Sequence, residues 1–252
     1  IRRTILKKDK IFKILENAFV VFLVFIIFYL SIIWADFSKI YNVKEIKING
    51  VNYFDKNVIE DKNIDFLGQN ILSINLVSLK NDIKDFDHIV DCKISREFPS
   101  SVSISVVERV PIAMINTDEL IILDSEGICL PVEHCDIPLP ILSNYRKNPE
   151  LYPKGKKTNS TNVMKSIEVI TYTKQNFEEL YKNISEFYFN ENNEYEIILK
   201  NGRTKIVLGS NNFFKKINNL NAFTTSIEKE NKLTDFSYVD LRYEEQVVVR
   251  EL

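Results

Sequence analysis

The sequence predicts an α+β protein in three parts: an N-terminal transmembrane helix, a β-α-α-β-β domain, and a β-rich domain with helices. Three observations carry this. Ala18 to Ala35 form an uncharged run of 18 residues; alternating strand and helix patterns follow one another from Val43 to Val106; and short strands broken by turns dominate after Pro111.

The apolar run is a membrane span. At 1.5 Å of rise per residue it covers about 27 Å, close to the hydrocarbon thickness of a bilayer. Six Lys or Arg residues between Arg2 and Lys13 precede it. By the positive-inside rule residues 1–17 form a cytoplasmic tail, residues 18–35 the span and residues 36–42 a connector on the far side. A cleaved signal peptide would have a shorter apolar core and a small-x-small site. Here the run ends in Ile33-Trp34-Ala35-Asp36-Phe37, so the sequence predicts an uncleaved anchor. Tyr29 and Trp34 suit the interfacial belt.

In the next part Ile46 and Ile48 alternate with polar residues in a strand that stops at Gly50. Asp55 precedes a short helix with Val58 and Ile59 on its apolar side. A second helix is predicted from about Ser73, because Leu72, Leu76, Leu79 and Ile83 line one face. Val90, Cys92 and Ile94 share a face of one strand, and Val102, Ile104 and Val106 share a face of the next, with Phe98-Pro99-Ser100 as the turn. This β-α-α-β-β order makes a three-stranded sheet with helices on one face.

After Pro111 the segments Ile112 to Ile115 and Leu120 to Leu123 read as a hairpin, and Asp124 to Gly127 as a turn. Pro131 to Pro153 reads as extended loop. Met164, Ile167 and Ile170 indicate a helix, and Asn201-Gly202 is a hairpin signal between Tyr195 to Lys200 and Thr204 to Leu208. Phe213, Ile217, Leu220 and Ile227 mark a second amphipathic helix. The last strands are Tyr238 to Arg242 and Gln246 to Arg250.

Function classes narrow by exclusion. A net charge of −2 with interspersed signs leaves no basic stripe, so no nucleic-acid partner is expected. Six glycines and no phosphate-loop or dinucleotide fingerprint leave nucleotide binding unsupported, and no cofactor is expected. Cys129 and Cys135, six apart around Pro131, are spaced for a small disulfide in an oxidising compartment; two free thiols fit the same spacing. Cys92 reads as a buried small hydrophobe. Cys129, His134 and Cys135 lack a fourth zinc ligand, so no metal site is expected.

His88 beside Asp87 reads as a solvated strand-end residue, and no nucleophile elbow is present. His134, among Glu133, Cys135 and Asp136, has poor geometry toward its neighbouring thiol. Glu244 and Glu245 point apart, whereas Asp240 and Arg242 share a face and pair. An anchored hydrolase would need converging acid and base groups, and these do not show. A chaperone for outer-membrane insertion would need a long run of barrel strands, against which the helix at Phe213 to Ile227 argues.

Several segments, in order and spacing, carry a resemblance. They are Val43 to Gly50, Gly68-Gln-Asn-Ile-Leu72, Arg96-Glu-Phe-Pro-Ser100, Val106-Val-Glu-Arg-Val-Pro-Ile-Ala113, Val207-Leu-Gly209 and Tyr238-Val-Asp-Leu-Arg-Tyr243. Together they resemble the FtsQ/DivIB family of bacterial cell-division proteins. The resemblance implies a POTRA domain over residues 43–109 and an FtsQ-type β domain over residues 110–252. It further implies a non-catalytic divisome scaffold in the inner membrane at the septum, with a cytoplasmic N-terminus and periplasmic domains. The implied partners are FtsB- and FtsL-like proteins, with other divisome proteins reached through the POTRA domain.

By position, the resemblance puts Arg242 and Tyr243 at the partner interface, with Val247, Val248, Val249 and Arg250 as an edge strand to which the partner adds. The residue pattern agrees that Gln246 to Arg250 is a β-branched strand within two residues of the end of this sequence, and unless further sequence follows it, an uncovered edge is expected there. A buried role for these valines is the competing reading. Where other members place an aromatic near the end of this strand, this chain has Arg250-Glu251-Leu252.

Overall fold

The computed structural model describes residues 2–132, 137–227, 232–244 and 246–251, without the side chains of 2–14 and 62–64. The first helix, α1 (Arg2–Phe37), is continuous, and its segment Leu15–Phe37 is long and apolar enough to cross a membrane, with its side chains exposed. The candidate span thus runs past both ends of the uncharged stretch, because helix geometry does not stop where charge begins.

The chain then divides into two compact units. One gathers Ile1–Asn49, Asn57–Asn81 and Lys93–Ser105; the other gathers Gly50–Lys56, Asp82–Cys92 and Val106–Leu252. Strands β1 (Glu45–Asn49), β2 (Ile89–Glu97) and β3 (Ser101–Glu108) form a three-stranded sheet in the order β1-β3-β2, with β1 parallel to β3. Helices α2 (Asn57–Asn63) and α3 (Leu76–Lys84) complete the expected β-α-α-β-β order. Ile48, Ile71, Ile74, Leu79, Val102 and Ile104 are buried in the first unit.

Two details differ from the sequence reading. The second helix starts at Leu76, not Ser73, and Leu72 is exposed while Ile71 and Ile74 go inside. The cause is local: Asn70 Oδ1 accepts the Leu72 amide and Asn75 Oδ1 accepts the Val77 and Ser78 amides, so one turn closes before the helix is capped. Val90 is likewise exposed, with Ile89 taking the buried position ahead of Cys92.

The motifs of this region have structural roles. The segment Gly68 to Ile71 pairs with 41–43 through backbone bonds between Gly68 and Val43, Val43 and Gln69, and Ile71 and Tyr41. Arg96 donates to the Ile71 and Ile74 carbonyls at 2.7 Å each, pinning the approach to α3.

Among the described residues of the larger unit, nine strands form one sheet in the order β12-β11-β10-β9-β8-β7-β4-β5-β6. They are β4 (Pro111–Asn116), β5 (Leu120–Asp124), β6 (Cys129–Pro131), β7 (Ile141–Ser143), β8 (Ile184–Phe189), β9 (Tyr195–Leu199), β10 (Lys205–Gly209), β11 (Phe236–Asp240) and β12 (Val248–Glu251). Helices α4 (Thr161–Asn176), α5 (Glu178–Asn183) and α6 (Phe213–Ile227) complete the unit. Val163, Ile167 and Ile170 of α4 and Ile217 and Leu220 of α6 bury against Tyr195, Ile197 and Leu199, alternate residues of β9, so these helices cover one sheet face. On the other face, at the β4–β6 end, Ile122, Leu130 and Leu139 pack with Phe54.

The stretch from Pro131 to Pro153 is not all loop. It holds β7, which pairs in parallel with β4 on one side and β8 on the other. Strand β8 was also without a sequence signal. The last two strands are displaced as well: β11 ends at Asp240, leaving Arg242 beyond it, and β12 begins at Val248 instead of Gln246.

At the end of the first sheet, Glu108 accepts the amides of Asn52, Tyr53 and Phe54 at 2.6, 3.0 and 3.3 Å, and Arg109 meets Asp124 at 2.8 Å. The preceding turn residue Gly50 has a φ of +88°, and a Cβ there would lie 2.2 Å from the Val106 carbonyl oxygen, so only glycine fits.

Candidate functional site

The two ends of the nine-stranded sheet are treated differently. At β6 the chain covers the edge itself: Cys129 donates to the Lys156 carbonyl at 2.9 Å and Gly155 donates to Cys129 at 2.8 Å. At β12 no strand among the described residues pairs with the outer side. All four residues of β12 are exposed, Val248 by 43% and Val249 by 37%. An unpaired strand edge presents free amide and carbonyl groups that can accept an added strand.

Strand β12 runs antiparallel to β11, with Val248, Val249 and Arg250 opposite Asp240, Val239 and Tyr238. The Ser237 hydroxyl donates to the Arg250 and Glu251 carbonyls at 3.1 and 3.2 Å, which ties down the end of the strand. Val247 lies just before the strand, half-buried against the main core. Tyr243 is 57% exposed.

Beside this edge sits a charge cluster. Asp240 is buried and accepts the Tyr238 hydroxyl at 2.7 Å and the Arg242 amide at 2.9 Å. The Arg242 guanidinium grips the same carboxylate in a fork, Nε to Oδ1 at 3.0 Å and Nη2 to Oδ2 at 2.7 Å, and its Nη1 reaches Glu194 at 3.3 Å. The expected Asp240–Arg242 pair is therefore present, with two partners the sequence did not indicate. Burial alone would raise the Asp240 carboxyl, but the bonds from Arg242 and Tyr238 outweigh it and hold the carboxyl below its ordinary range. The bond to Asp240 raises Arg242 above its ordinary value despite some desolvation. Burial, reinforced by Asp240, lifts the Tyr238 phenol.

The cluster extends to neighbouring strands. Asn190 Nδ2 donates to Glu196 at 2.9 Å, and Lys205 pairs with Glu196 at 2.8 Å. Lys216 of α6 reaches the Leu208 carbonyl at 2.7 Å. The tertiary structure thus joins the Leu208-Gly209 and Asp240-Leu-Arg242 segments at one corner.

Sequence reasoning missed Glu194 and Lys216. Glu194 sits in a polar turn that reads as solvated loop. Lys216 had a signal: it stands three residues after Phe213 and four before Leu220, on the apolar stripe of α6. A charged residue on such a stripe needs a buried partner.

The proposed Cys129–Cys135 bridge, His134, Glu133 and Asp136 involve residues 133–136, outside the described residues. Glu245 is outside them too. Burial, with Asp124 adding to it, pushes the Cys129 thiol up to about 11, which keeps it protonated at neutral pH. Among the described residues no group of three or more His, Cys, Asp or Glu could hold a metal ion.

Comparison with known proteins gives consistent matches. Residues 110–249 match the family model described as FtsQ/DivIB, C-terminal related, and residues 41–109 match that of the POTRA domain, FtsQ-type. A cell division protein FtsQ of Geobacter sp. (strain M21) is 23% identical over 189 residues, covering 73% of this chain and 67% of that protein. One from Geotalea daltonii is 21% identical over 188 residues, covering 73% of this chain and 66% of that protein. One from Novosphingobium aromaticivorans is 26% identical over 100 residues, which is 38% of this chain and 30% of that protein.

Proposed function

We propose, from the premise that the chain belongs to the FtsQ/DivIB family of cell-division proteins, that it acts in division as a non-catalytic single-span scaffold. In this reading the N-terminus is cytoplasmic, the two folded units are periplasmic and the protein sits in the inner membrane at the septum. It binds an FtsB/FtsL-type complex and links it to septal cell-wall synthesis, while the POTRA domain meets other divisome proteins.

The observation that carries the reading is the open edge at β12, next to exposed Tyr243. A partner strand laid along β12 would be held by main-chain hydrogen bonds, with Tyr243, Val248 and Val249 supplying contact and Arg242 and Arg250 flanking it. Val247 serves this edge by anchoring its start in the core.

Successive residues of an antiparallel strand point their amide groups to opposite sides. One of Val248 and Val249 therefore faces β11 and the other faces outward. Proline at the outward position removes a donor from the partner without breaking the existing ladder. The full chain in nanodiscs, titrated with the FtsB-like segment of the same organism, is expected to bind. One of Val248→Pro and Val249→Pro should lose binding while keeping the wild-type unfolding midpoint, and the corresponding alanine variant should retain it. Tyr243→Ala should weaken binding by about tenfold with stability unchanged within about 0.5 kcal/mol. If both proline variants fold and bind like wild type, the edge is not the site.

A further inference from the structure

Lys216 is a cation in a place built for an apolar residue. It is 9% exposed, and its Nζ donates to the Leu208 carbonyl at 2.7 Å and to Asn211 Oδ1 at 3.4 Å. The Leu208 carbonyl lies where the register of β10 against β9 shifts, between Val207 and Gly209, and Gly209 itself takes a φ of +76°. A carbonyl released from its ladder by such a shift is costly to bury unpaired. The ammonium supplies the donor.

The same corner carries Arg242. A Cβ placed on Gly209 would stand 3.0 Å from Arg242 Cγ and 3.4 Å from Lys216 Nζ, so both cations pass over one bare glycine. Burial lowers the Lys216 ammonium below its ordinary value, with Asp240, Glu194 and Glu244 partly offsetting this and Arg242 adding to it. Just before the shift, the Val207 carbonyl accepts the Leu241 amide at 3.0 Å. The path of the chain out of β11 is therefore set from the end of β10.

Resting on the partner-edge reading above, we infer that Lys216 is a positioning residue for that edge. It locks the Leu208-Gly209 corner, and through it fixes where Arg242 lies and how β11 and β12 leave β10. In this role it touches no partner. Lys216→Met keeps the aliphatic stem but removes the charge and the donor, whereas Lys216→Arg restores a donor.

The test measures hydrogen exchange of residues 246–251, binding of the FtsB-like segment and the urea midpoint, all on the full chain in nanodiscs. Lys216→Met is expected to speed exchange of β12 and weaken binding, each by about tenfold. Lys216→Arg is expected to recover both. The midpoint should move much less than the edge, because losing a buried ammonium also removes its desolvation cost. Unchanged β12 exchange in Lys216→Met overturns the inference, and so does a midpoint loss in proportion to the binding loss. If wild type fails to bind while Lys216→Met still loosens β12 and Lys216→Arg restores it, the positioning role stands and the partner reading falls.

Discussion

Asp240 shows how much one carboxylate can organise. It takes bonds from Tyr238, from the Arg242 amide and from both ends of the Arg242 fork. Asp240→Asn would leave the Arg242 guanidinium without its buried acid. The cost is expected at about 2 to 4 kcal/mol, below the penalty of a fully buried pair because Arg242 is partly solvated. Urea unfolding of the full chain at pH 7 checks the value. The pH dependence has a defined sign. Because the folded carboxyl lies below its ordinary value, the unfolded chain takes up the proton first as pH falls. The stabilisation is therefore whole above about pH 4 and is lost as pH drops through the folded value. The urea midpoint measured from pH 7 to 3 should fall more steeply in wild type than in Asp240→Asn.

Among the elements, β7 has the least sequence signal and a central place. Three residues, Ile141-Leu142-Ser143, join β4 to β8, and Leu142 is buried in the main core. Truncating it would remove contacts to the helix face and leave a cavity at the junction of the two halves of the sheet. Leu142→Ala is expected to cost about 2 to 5 kcal/mol, a range set by such core truncations. Removing the exposed side chain of Val248 by alanine should cost under about 1 kcal/mol, since little apolar area is lost there. Thermal or urea unfolding of the two variants gives the ratio. Equal losses would mean that β7 is not the seam the sheet order makes it. The contrast between edges follows the same logic: β6 is covered by the chain at Lys154 to Lys157, whereas no strand among the described residues covers β12.

At the scale of the whole molecule, the apolar segment Leu15–Phe37 predicts an uncleaved anchor, and the intact mass of protein extracted from membranes should include it. A mature N-terminus near Phe37 would overturn that. The long apolar helix was legible because the length and hydropathy of such a segment are local properties of composition. The β-α-α-β-β order and the amphipathic helices α4 and α6 were legible for the same kind of reason, since periodicity reports which side of an element is buried. The hairpins β4–β5 and β9–β10 were legible too, but the sequence could not determine which strands distant along the chain lie side by side. Strand β7 is too short to show alternation, and its neighbours β4 and β8 lie far away in sequence on opposite sides. Glu194 looks like a solvated charge, and the partner that Lys216 needs on its apolar stripe stays unnamed, until folding brings the β8–β9 turn and α6 against Arg242. Burial then turns ordinary polar residues into a satisfied network, because an unpaired charge in that place would be too costly to keep.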